Sequence, residues 1–303
     1  MSFRQREAAE GYLFLLPNIV VVVVFLLFPV VVAVVLSLTD WNLLRGGDFV
    51  GLDNYQTLLF GDDLFLKVLR NTVFYVVGTV PAIIVISLLL ALALNQKING
   101  VVFFRSLYFL PVVSSTVAVA LVWQWLYNPT FGPINAALSA VGIPGPPWLG
   151  STRWALPAVI IMTVWKDVGY YMVLFLAGLQ GIPDHLYEAA DIEGAGGWTK
   201  FRHVTLPMLS PTTFFVMVIA AIGAFQVFTQ ALIMADGGPD NATNTIVLYI
   251  YQNGFQFYKM GYAAAIGWVL FALIFLITLL QNKMQKRWVY YEGQTSAPTP
   301  AGR

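Results

Sequence analysis

The segment 12–38 reads YLFLLPNIVVVVVFLLFPVVVAVVLSL and contains no charged side chain. A helix needs about 20 apolar residues to cross a bilayer, so this segment is long enough to do so. It follows Arg4 and Arg6, as a secretory signal would. However, its apolar run is far longer than that of a signal peptide, and no clear small-x-small cleavage site follows it. We therefore predict an uncleaved first membrane span.

Five more apolar stretches follow along the chain, at about 72–94, 105–127, 155–180, 208–235 and 262–282. The chain is 58% hydrophobic and 10% charged, with a mean hydropathy of +0.74, whereas soluble domains carry about 25% charged residues. The sequence thus predicts an all-α, polytopic membrane protein. Its six transmembrane helices occupy 12–282, between a short N-terminal segment (1–11) and a C-terminal tail (283–303).

The distribution of lysine and arginine predicts the orientation, because these residues are enriched in cytoplasmic loops. With the N-terminus inside, the inside segments hold ten cations: Arg4, Arg6, Lys97, Arg105, Lys200, Arg202, Lys283, Lys286, Arg287 and Arg303. The outside segments hold five: Arg45, Lys67, Arg70, Arg153 and Lys259. This bias favours two cytoplasmic termini, and it places the loop 181–207 in the cytoplasm.

Several chemistries are excluded or disfavoured by the residues that are missing. The chain has no cysteine and only two histidines, His185 and His203, so thiolate chemistry is excluded and a histidine metal cluster is not expected. It also lacks the G-x-x-x-x-G-K-[ST] loop that cradles nucleotide phosphates. No nucleophile–base constellation suggests an intramembrane enzyme. We expect a non-enzymatic chain that binds no metal or cofactor itself.

The loop 181–207 contains the charged, glycine-rich stretch EAADIEGAGGWTKFRHVTLP. Pro183 suits the first turn of a helix, and the glycines at 194, 196 and 197 would end that helix. The loop is therefore predicted to form a short helix, a glycine corner and a return to the membrane. It is either a solvated connector or a docking element, and four side chains that are unusually apolar for a free loop favour docking: Tyr187, Ile192, Trp198 and Phe201.

The same loop resembles the EAA motif of ABC importer permeases, in which E-A-A precedes three residues, a glycine, nine or more residues and a hydrophobic-x-L-P ending. The matching positions are Glu188, Ala189, Ala190, Gly194, Leu206 and Pro207. Stretches such as FVGLDNYQTLL (49–59) and FFRSLYFLPVVSSTVAVALVWQWLYN (103–128) resemble the carbohydrate-uptake branch, the relatives of the first maltose permease subunit. The resemblance covers about 10–290. The position before the glycine, usually Asp, is Glu193 here.

The resemblance implies a type I ABC importer permease whose EAA segment is a coupling helix docked in a groove of a cytoplasmic ATPase. Glu188 would be the charged anchor, Ala189 and Ala190 would allow close approach, and Gly194 would make the bend. The implied partners are a second homologous permease, an ATPase dimer that carries ATP and Mg, and an extracytoplasmic solute-binding protein. The implied setting is the bacterial cell (inner) membrane. Disaccharides, oligosaccharides, monosaccharides and glycerol 3-phosphate are all possible cargoes.

The fourth predicted span carries an ionisable pair, Lys166 and Asp167, near its middle. Ionisable residues inside a span are candidates for function, and neighbouring Trp165, Tyr170 and Tyr171 would suit a sugar ring. Adjacent helical positions point about 100° apart, so the pair is not expected to be ideal, and each member is expected to face a wet cavity or another helix. The alternative is a structural pair between helices. The resemblance favours a substrate path here.

The fifth predicted span adds Phe225, Gln226 and Gln230 to the proposed path. The two glutamines are four residues apart and would share one face of a continuous helix. Amides in a span also hydrogen-bond between helices, so lining a cavity and joining helices remain equal alternatives. Weaker candidates lie in the third span, at Trp123, Gln124 and Trp125.

A different functional class is an ion-gradient-driven secondary transporter. The intramembrane pair is its one supporting feature. The sequence shows six spans without an internal repeat, whereas many secondary transporters are built from repeats. The ABC importer permease is therefore the preferred interpretation.

Overall fold

The computed structural model describes residues 3–96 and 99–290. In this part of the chain the secondary structure is helical, and the β-structure consists of isolated backbone bridges such as Thr39–Phe49. Most of the predicted tail, from 291 onward, lies outside the described residues, as do residues 1–2 of the N-terminal segment.

Four continuous helical segments are long and apolar enough to cross a membrane: Gly11–Ser37, Asp63–Leu94, Ala155–Gln180 and Met260–Trp288. Two bent pairs of helices bring the number to six if each pair is one span: Val101–Val113 with Thr116–Leu126, and Gly197–Met208 with Ser210–Phe225. The described residues therefore contain four to six spans, in agreement with a polytopic helical protein.

The helices are numbered in chain order. The longer ones are α1 (Phe3–Val22), α2 (Phe28–Ser37), α4 (Asp63–Leu94), α5 (Val101–Val113), α6 (Thr116–Leu126), α8 (Ala155–Gln180), α9 (Asp184–Ile192), α12 (Ser210–Phe225) and α15 (Met260–Trp288). The short ones are α3 (Asp53–Gln56), α7 (Pro133–Ala140), α10 (Gly197–Lys200), α11 (Leu206–Met208), α13 (Thr229–Ala235) and α14 (Ile246–Tyr251). A π-helical turn, Val23–Leu27, joins α1 to α2.

The helix α8 occupies the residues predicted for the fourth span, but other boundaries differ. The helix α4 begins at Asp63, nine residues before the predicted start at 72. The predicted third span is not one straight helix. It bends by 97° between α5 and α6, because Ser114 and Ser115 have non-helical dihedrals just after Pro111.

The predicted fifth span, 208–235, is also interrupted. A helical stretch already begins at Gly197 and runs to Met208, and the chain then bends by 61° into α12. The helix α12 ends at Phe225, and a non-helical segment separates it from α13. The carbonyl of Val227 in this segment accepts a hydrogen bond from Thr245 Oγ1 at 3.0 Å, which satisfies a backbone group that the helix no longer pairs.

The chain divides into two compact units. One unit comprises 1–66 and 249–272; its buried side chains include Leu58, Phe65 and Ile266. The other comprises 67–248 and 273–303 and is built around α8, whose Met162, Met172 and Phe175 are fully buried.

Hydrogen bonds join neighbouring helices to α8 inside the larger unit. The hydroxyl of Tyr75, in α4, donates to Thr163 Oγ1 at 2.9 Å. The hydroxyl of Tyr127, just after α6, donates to the Ala158 carbonyl at 3.1 Å. Buried polar groups are costly unless they are paired, so these contacts fix how α4 and α6 pack on α8.

Candidate functional site: the loop 181–207 and the middle of α8

The first half of the loop 181–207 is the helix α9, preceded by Pro183. The helix ends in a Schellman motif: the Ala195 N–H donates to the Ala190 carbonyl and the Gly194 N–H donates to the Asp191 carbonyl. Gly194 has a φ of +75°, a backbone conformation that residues with a side chain rarely adopt and that glycine adopts freely. The bend expected at Gly194 is therefore present, and the local sequence accounts for it.

The second half of the loop is helical and packs back on α9. We expected the glycines to end one helix, but Gly197 instead begins the next. Lys200 Nζ lies 2.6 Å from Asp191 Oδ1, and the hydroxyls of Tyr187 and Thr205 are 3.0 Å apart. These two contacts hold the halves of the loop together across the glycine corner.

The outer surface of the loop combines a carboxylate with apolar side chains. Glu188 and Ala189 are exposed, and Ala190 is half-buried. Ile192 is 89% exposed and Trp198 is 72% exposed. We call the surface formed by Glu188, Ala189, Ile192 and Trp198 the coupling face; its large exposed apolar side chains are typical of an interaction surface.

The remaining two motif positions lie in the helical stretch that returns to the membrane. Leu206 is 38% exposed and Pro207 is half-buried. Pro207 follows Leu206 in α11, directly after the π-helical turn Phe201–Thr205. These two residues connect the coupling face to α12 and are not part of that face.

The middle of α8 is packed very closely against α5. A Cβ on Gly169 would collide with the backbone carbonyl of Tyr108, so only glycine allows the two helices to approach this far. Small residues allow the same close approach in many membrane helix pairs. This contact fixes the position of the turn of α8 that carries the ionisable pair.

Lys166 is buried, with 6% of its surface exposed. Its ammonium lies 3.4 Å from the Val112 carbonyl and 3.6 Å from Asp167 Oδ1. Val112 is in the last turn of α5, next to the bend at Ser114, where a helix has unpaired carbonyls and a partial negative charge. The lysine therefore compensates both the end of the broken helix and the neighbouring carboxylate.

This geometry supports the structural alternative for Lys166. At 3.6 Å the contact between the two side chains is within ion-pair distance but longer than the 2.7 and 2.6 Å of the other two ion pairs in the described residues, in keeping with the imperfect pairing that was expected. For Lys166 the contacts are those of the structural alternative. Asp167 is more open, because its side chain is 33% exposed.

The aromatic neighbours differ in exposure. Trp165 is 46% exposed and Tyr170 is 40% exposed, whereas Tyr171 is 8% exposed. The Trp165 ring lies 5.5 Å from the Trp123 ring. Trp165 also lines two apolar cavities of about 680 and 490 Å³, and neither Lys166 nor Asp167 is among their lining residues.

The candidates from the fifth span do not share a helical face. Gln226 lies in the break after α12 and is exposed, whereas Gln230 lies in α13 and is half-buried. The expectation of a common face was wrong because the helix is interrupted between them. Phe225 is 3% exposed, so it packs in the core. Of the weaker candidates, Gln124 donates from Nε2 to the Met234 carbonyl at 3.4 Å.

Sequence reasoning missed two features. The bend at Ser114–Ser115 was signalled by Pro111 and two adjacent serines, which are poor helix formers. The second feature is a carboxylate, Asp62, bound by the hydroxyls of Tyr249 and Tyr262. No local signal could find it, because the partners are 187 and 200 residues away in the sequence.

Comparison with known proteins identifies the class of protein that shares this architecture. Residues 63–290 match the family described as binding-protein-dependent transport system inner membrane component. The chain is 36% identical to a probable ABC transporter permease protein, YesP of Bacillus subtilis, over 96% of this chain and 94% of that protein. It is also 36% identical to the lactose transport system permease protein LacF of Rhizobium radiobacter, over 92% and 95% of the two chains.

A third relative is the arabinooligosaccharides transport system permease protein AraP of Bacillus subtilis, 35% identical over 93% of this chain and 90% of that protein. Among solved structures, a bacterial ABC transporter involved in the import of the acidic polysaccharide alginate matches with a TM-score of 0.79 and 25% identity. That match covers 93% of this chain and 96% of the other.

Proposed function

The chain belongs to the binding-protein-dependent transport system inner membrane component family, and we propose that it is the permease subunit that carries a sugar or a short sugar chain through an ABC importer. It is a multi-pass membrane protein and a transport subunit, not an enzyme. The cargo proposal is supported by relatives whose names specify lactose and arabinooligosaccharides. The individual sugar is left open, and glycerol 3-phosphate is a further candidate.

The proposal that this loop couples the permease to a partner is supported by its exposed coupling face and by the Schellman motif that fixes its bend. The bend and the hydrogen bond between the Tyr187 and Thr205 hydroxyls fix the loop as one body. A rigid loop can transmit the closing of a partner to the helix that follows it. Glu188 anchors the partner by its charge, and Ile192 and Trp198 supply apolar contact.

The proposed partner at the coupling face is a cytoplasmic ATPase dimer, which binds ATP and Mg and supplies the energy. A second homologous permease completes the pore, because this chain carries one copy of the motif. An extracytoplasmic solute-binding protein delivers the cargo; a solved relative was crystallised with its sugar-bound periplasmic protein. We place both termini in the cytoplasm of a bacterial cell, with the inner membrane as the site.

For the substrate path we propose a division of roles among the α8 residues. Asp167 and Tyr170 point about 60° apart around the helix, and both are partly exposed, so they face the cargo during passage. Trp165 points away from Asp167 and lines the apolar cavities instead. Lys166 and Tyr171 are buried and position Asp167 and Tyr170, and Lys166 does so through its contact with the end of α5. Gln226 is exposed beside the α12 break and joins the path independently of Gln230.

Reconstitution separates this function from an ion-driven transporter. The tagged chain is purified with its co-purifying subunits, placed in proteoliposomes with the binding protein outside, and tested with radiolabelled lactose, arabinotriose and diacetylchitobiose. We expect uptake of at least one sugar that requires ATP inside and survives dissipation of ion gradients. Uptake that follows an ion gradient without ATP would overturn the proposal.

A further inference from the structure

A polar cavity of about 400 Å³ lies in the smaller unit, away from the ionisable pair of α8 in the sequence. Its walls come from the loop that follows α2 and from the segment that leads into α15. Both segments join spans at the same membrane face, and the charge distribution predicts that this face is extracytoplasmic. The volume lies within the range of small-molecule sites, about 300–1,000 Å³.

Hydrogen bonds across the cavity hold its walls together. Tyr249 and Tyr262 both donate to Asp62 Oδ2, at 2.7 and 2.5 Å, and the Phe65 N–H donates to Asp62 Oδ1 at 3.0 Å. The Gly261 N–H also donates to the Trp41 carbonyl at 3.0 Å. The cavity is thus preformed, and ligand binding would not have to order its walls.

The ionisable groups of the walls balance in charge. Burial raises the pKa of Asp62, but hydrogen bonds from Tyr262, Tyr249 and the backbone outweigh it, so the pKa lies below its ordinary value. Burial, together with the bond to Asp62, raises the pKa of Tyr249 to about 12. The walls therefore carry two acidic side chains, Asp40 and Asp62, and two basic side chains, Arg45 and Lys259.

The charged groups of Arg45 and Lys259 are available to bind a ligand. Neither Arg45 nor Lys259 forms an ion pair with any residue in the described part of the chain. Both are exposed, as is Asp40, whose Oδ1 accepts the Asp48 N–H at 2.6 Å. Trp41 is 42% exposed and adds an aromatic surface to the same cavity.

We propose that this cavity binds one unit of a neutral sugar. A sugar ring has apolar C–H faces that pack on an aromatic side chain and hydroxyl groups that both donate and accept hydrogen bonds. The guanidinium of Arg45 and the ammonium of Lys259 are donors, and the Asp40 carboxylate is an acceptor. The balanced charge of the walls favours a neutral ring over an ion.

The proposal concerns a site separate from the α8 path, and it rests on the proposed function for the choice of a sugar as ligand. A sugar held here would wait on the outer face before it enters the membrane path. The site would therefore raise the local concentration of cargo at this subunit, and it would bind sugar without ATP and without the binding protein.

Binding is tested on the full chain in lipid nanodiscs by saturation-transfer-difference NMR with lactose, arabinotriose and diacetylchitobiose. We expect transfer to at least one sugar, weakened about tenfold in affinity by Trp41→Ala, Arg45→Gln or Asp40→Asn, which corresponds to about 1.4 kcal/mol. The matched controls are Phe49→Ala and Asp53→Asn. Phe49 is an exposed aromatic residue of the same loop, Asp53 an exposed acid nearby, and neither lines the cavity.

Absence of transfer for all three sugars, or transfer that the three cavity variants leave unchanged, would overturn the proposal. So would variants that weaken only the docking of the binding protein, because the cavity would then be a protein contact. These results are independent of the proposed function: sugar uptake driven by ATP with no binding at the cavity would leave that function standing. Binding at the cavity without ATP-driven uptake would overturn the function alone.

Discussion

The loop 181–207 and the middle of α8 both place charged residues in an apolar chain, but the two regions are stabilised in different ways. The loop is exposed, and its bend depends on hydrogen bonds between residues three to five positions apart, such as that from Ala195 to Ala190. The ionisable pair of α8 lies in a packed helix, and Lys166 depends on a carbonyl 54 residues away.

This difference indicates that the charged residues of the loop suit the binding of a partner, whereas those of α8 support the packing of the helices. An exposed carboxylate has little effect on the stability of the free protein, because water solvates it when no partner is bound. A buried ammonium is costly unless it is compensated, so Lys166 must have its partners in every state in which it is buried. The Glu188 carboxylate is therefore available for docking, whereas the Lys166 ammonium mainly stabilises the end of α5 at the bend.

The largest effect is expected from Lys166→Met. The substitution keeps much of the side-chain volume but leaves Asp167 and the Val112 carbonyl uncompensated, and we expect a loss of about 3–5 kcal/mol in stability. Thermal unfolding in nanodiscs measures it. The double variant Lys166→Met/Asp167→Asn should recover part of the loss, because it removes the orphaned charge. A stable Lys166→Met protein with abolished sugar uptake would instead assign the lysine to the cargo.

Gly169→Ala is expected to rank second. The added methyl group meets the backbone of Tyr108, which cannot move aside as a flexible side chain could, and overpacking of this kind costs about 1–3 kcal/mol. The same substitution at Gly223, a helical glycine with open space around it, is the matched control. Equal melting temperatures for the two variants would contradict the close packing of α5 on α8.

Gly194→Ala should cost less, about 1 kcal/mol, because one residue is forced into a left-handed conformation. Gly196→Ala serves as control, since Gly196 has ordinary dihedrals and open space for a Cβ. Both proteins should fold, and hydrogen exchange at the end of α9 should increase in Gly194→Ala alone. An unchanged exchange rate there would mean that the Schellman bend does not stabilise the loop.

The smallest effect is expected from Asp191→Asn. The carboxylate is 62% exposed in its contact with Lys200, and exposed ion pairs contribute about 0–1 kcal/mol. The loss should shrink further as salt is raised, because screening weakens the pair in the parent protein. A stability loss that exceeds this range and does not change with salt would contradict the prediction, because the ion pair would then be a main stabilising contact of the loop.

The parts of the fold that depend on local pattern could be predicted from sequence. The span 155–180 coincides with α8 because a long apolar run is bounded by turn residues, and the bend at Gly194 follows from glycine chemistry. The break after Phe225 was missed because no proline lies within it and Val227 is paired by Thr245, far along the chain. Contacts of this kind depend on tertiary packing, which the pattern of one segment does not encode.

The candidate site shows the same division. The motif located the proposed coupling residues in the sequence, and the structure adds that Glu188 is exposed while Leu206 and Pro207 belong to the return helix. The roles of Lys166 and Asp167 could not be separated from sequence, because their difference lies in burial and in one distant carbonyl. Their assignment to the substrate path remains a prediction.

We propose that Glu188 couples this permease to a separate ATPase, and the decisive measurement is how much of that ATPase is retained when the tagged complex is purified. Glu188→Lys should leave the melting temperature unchanged but reduce ATPase retention and ATP-driven uptake about tenfold or more, since removing one partner of a buried interfacial charge pair costs about 2–5 kcal/mol. Glu188→Gln should give an intermediate loss. Asp48→Lys, the same charge change on an exposed acid of the loop after α2, should have no effect. A Glu188→Lys complex that retains its ATPase and imports sugar at the parent rate would contradict the account.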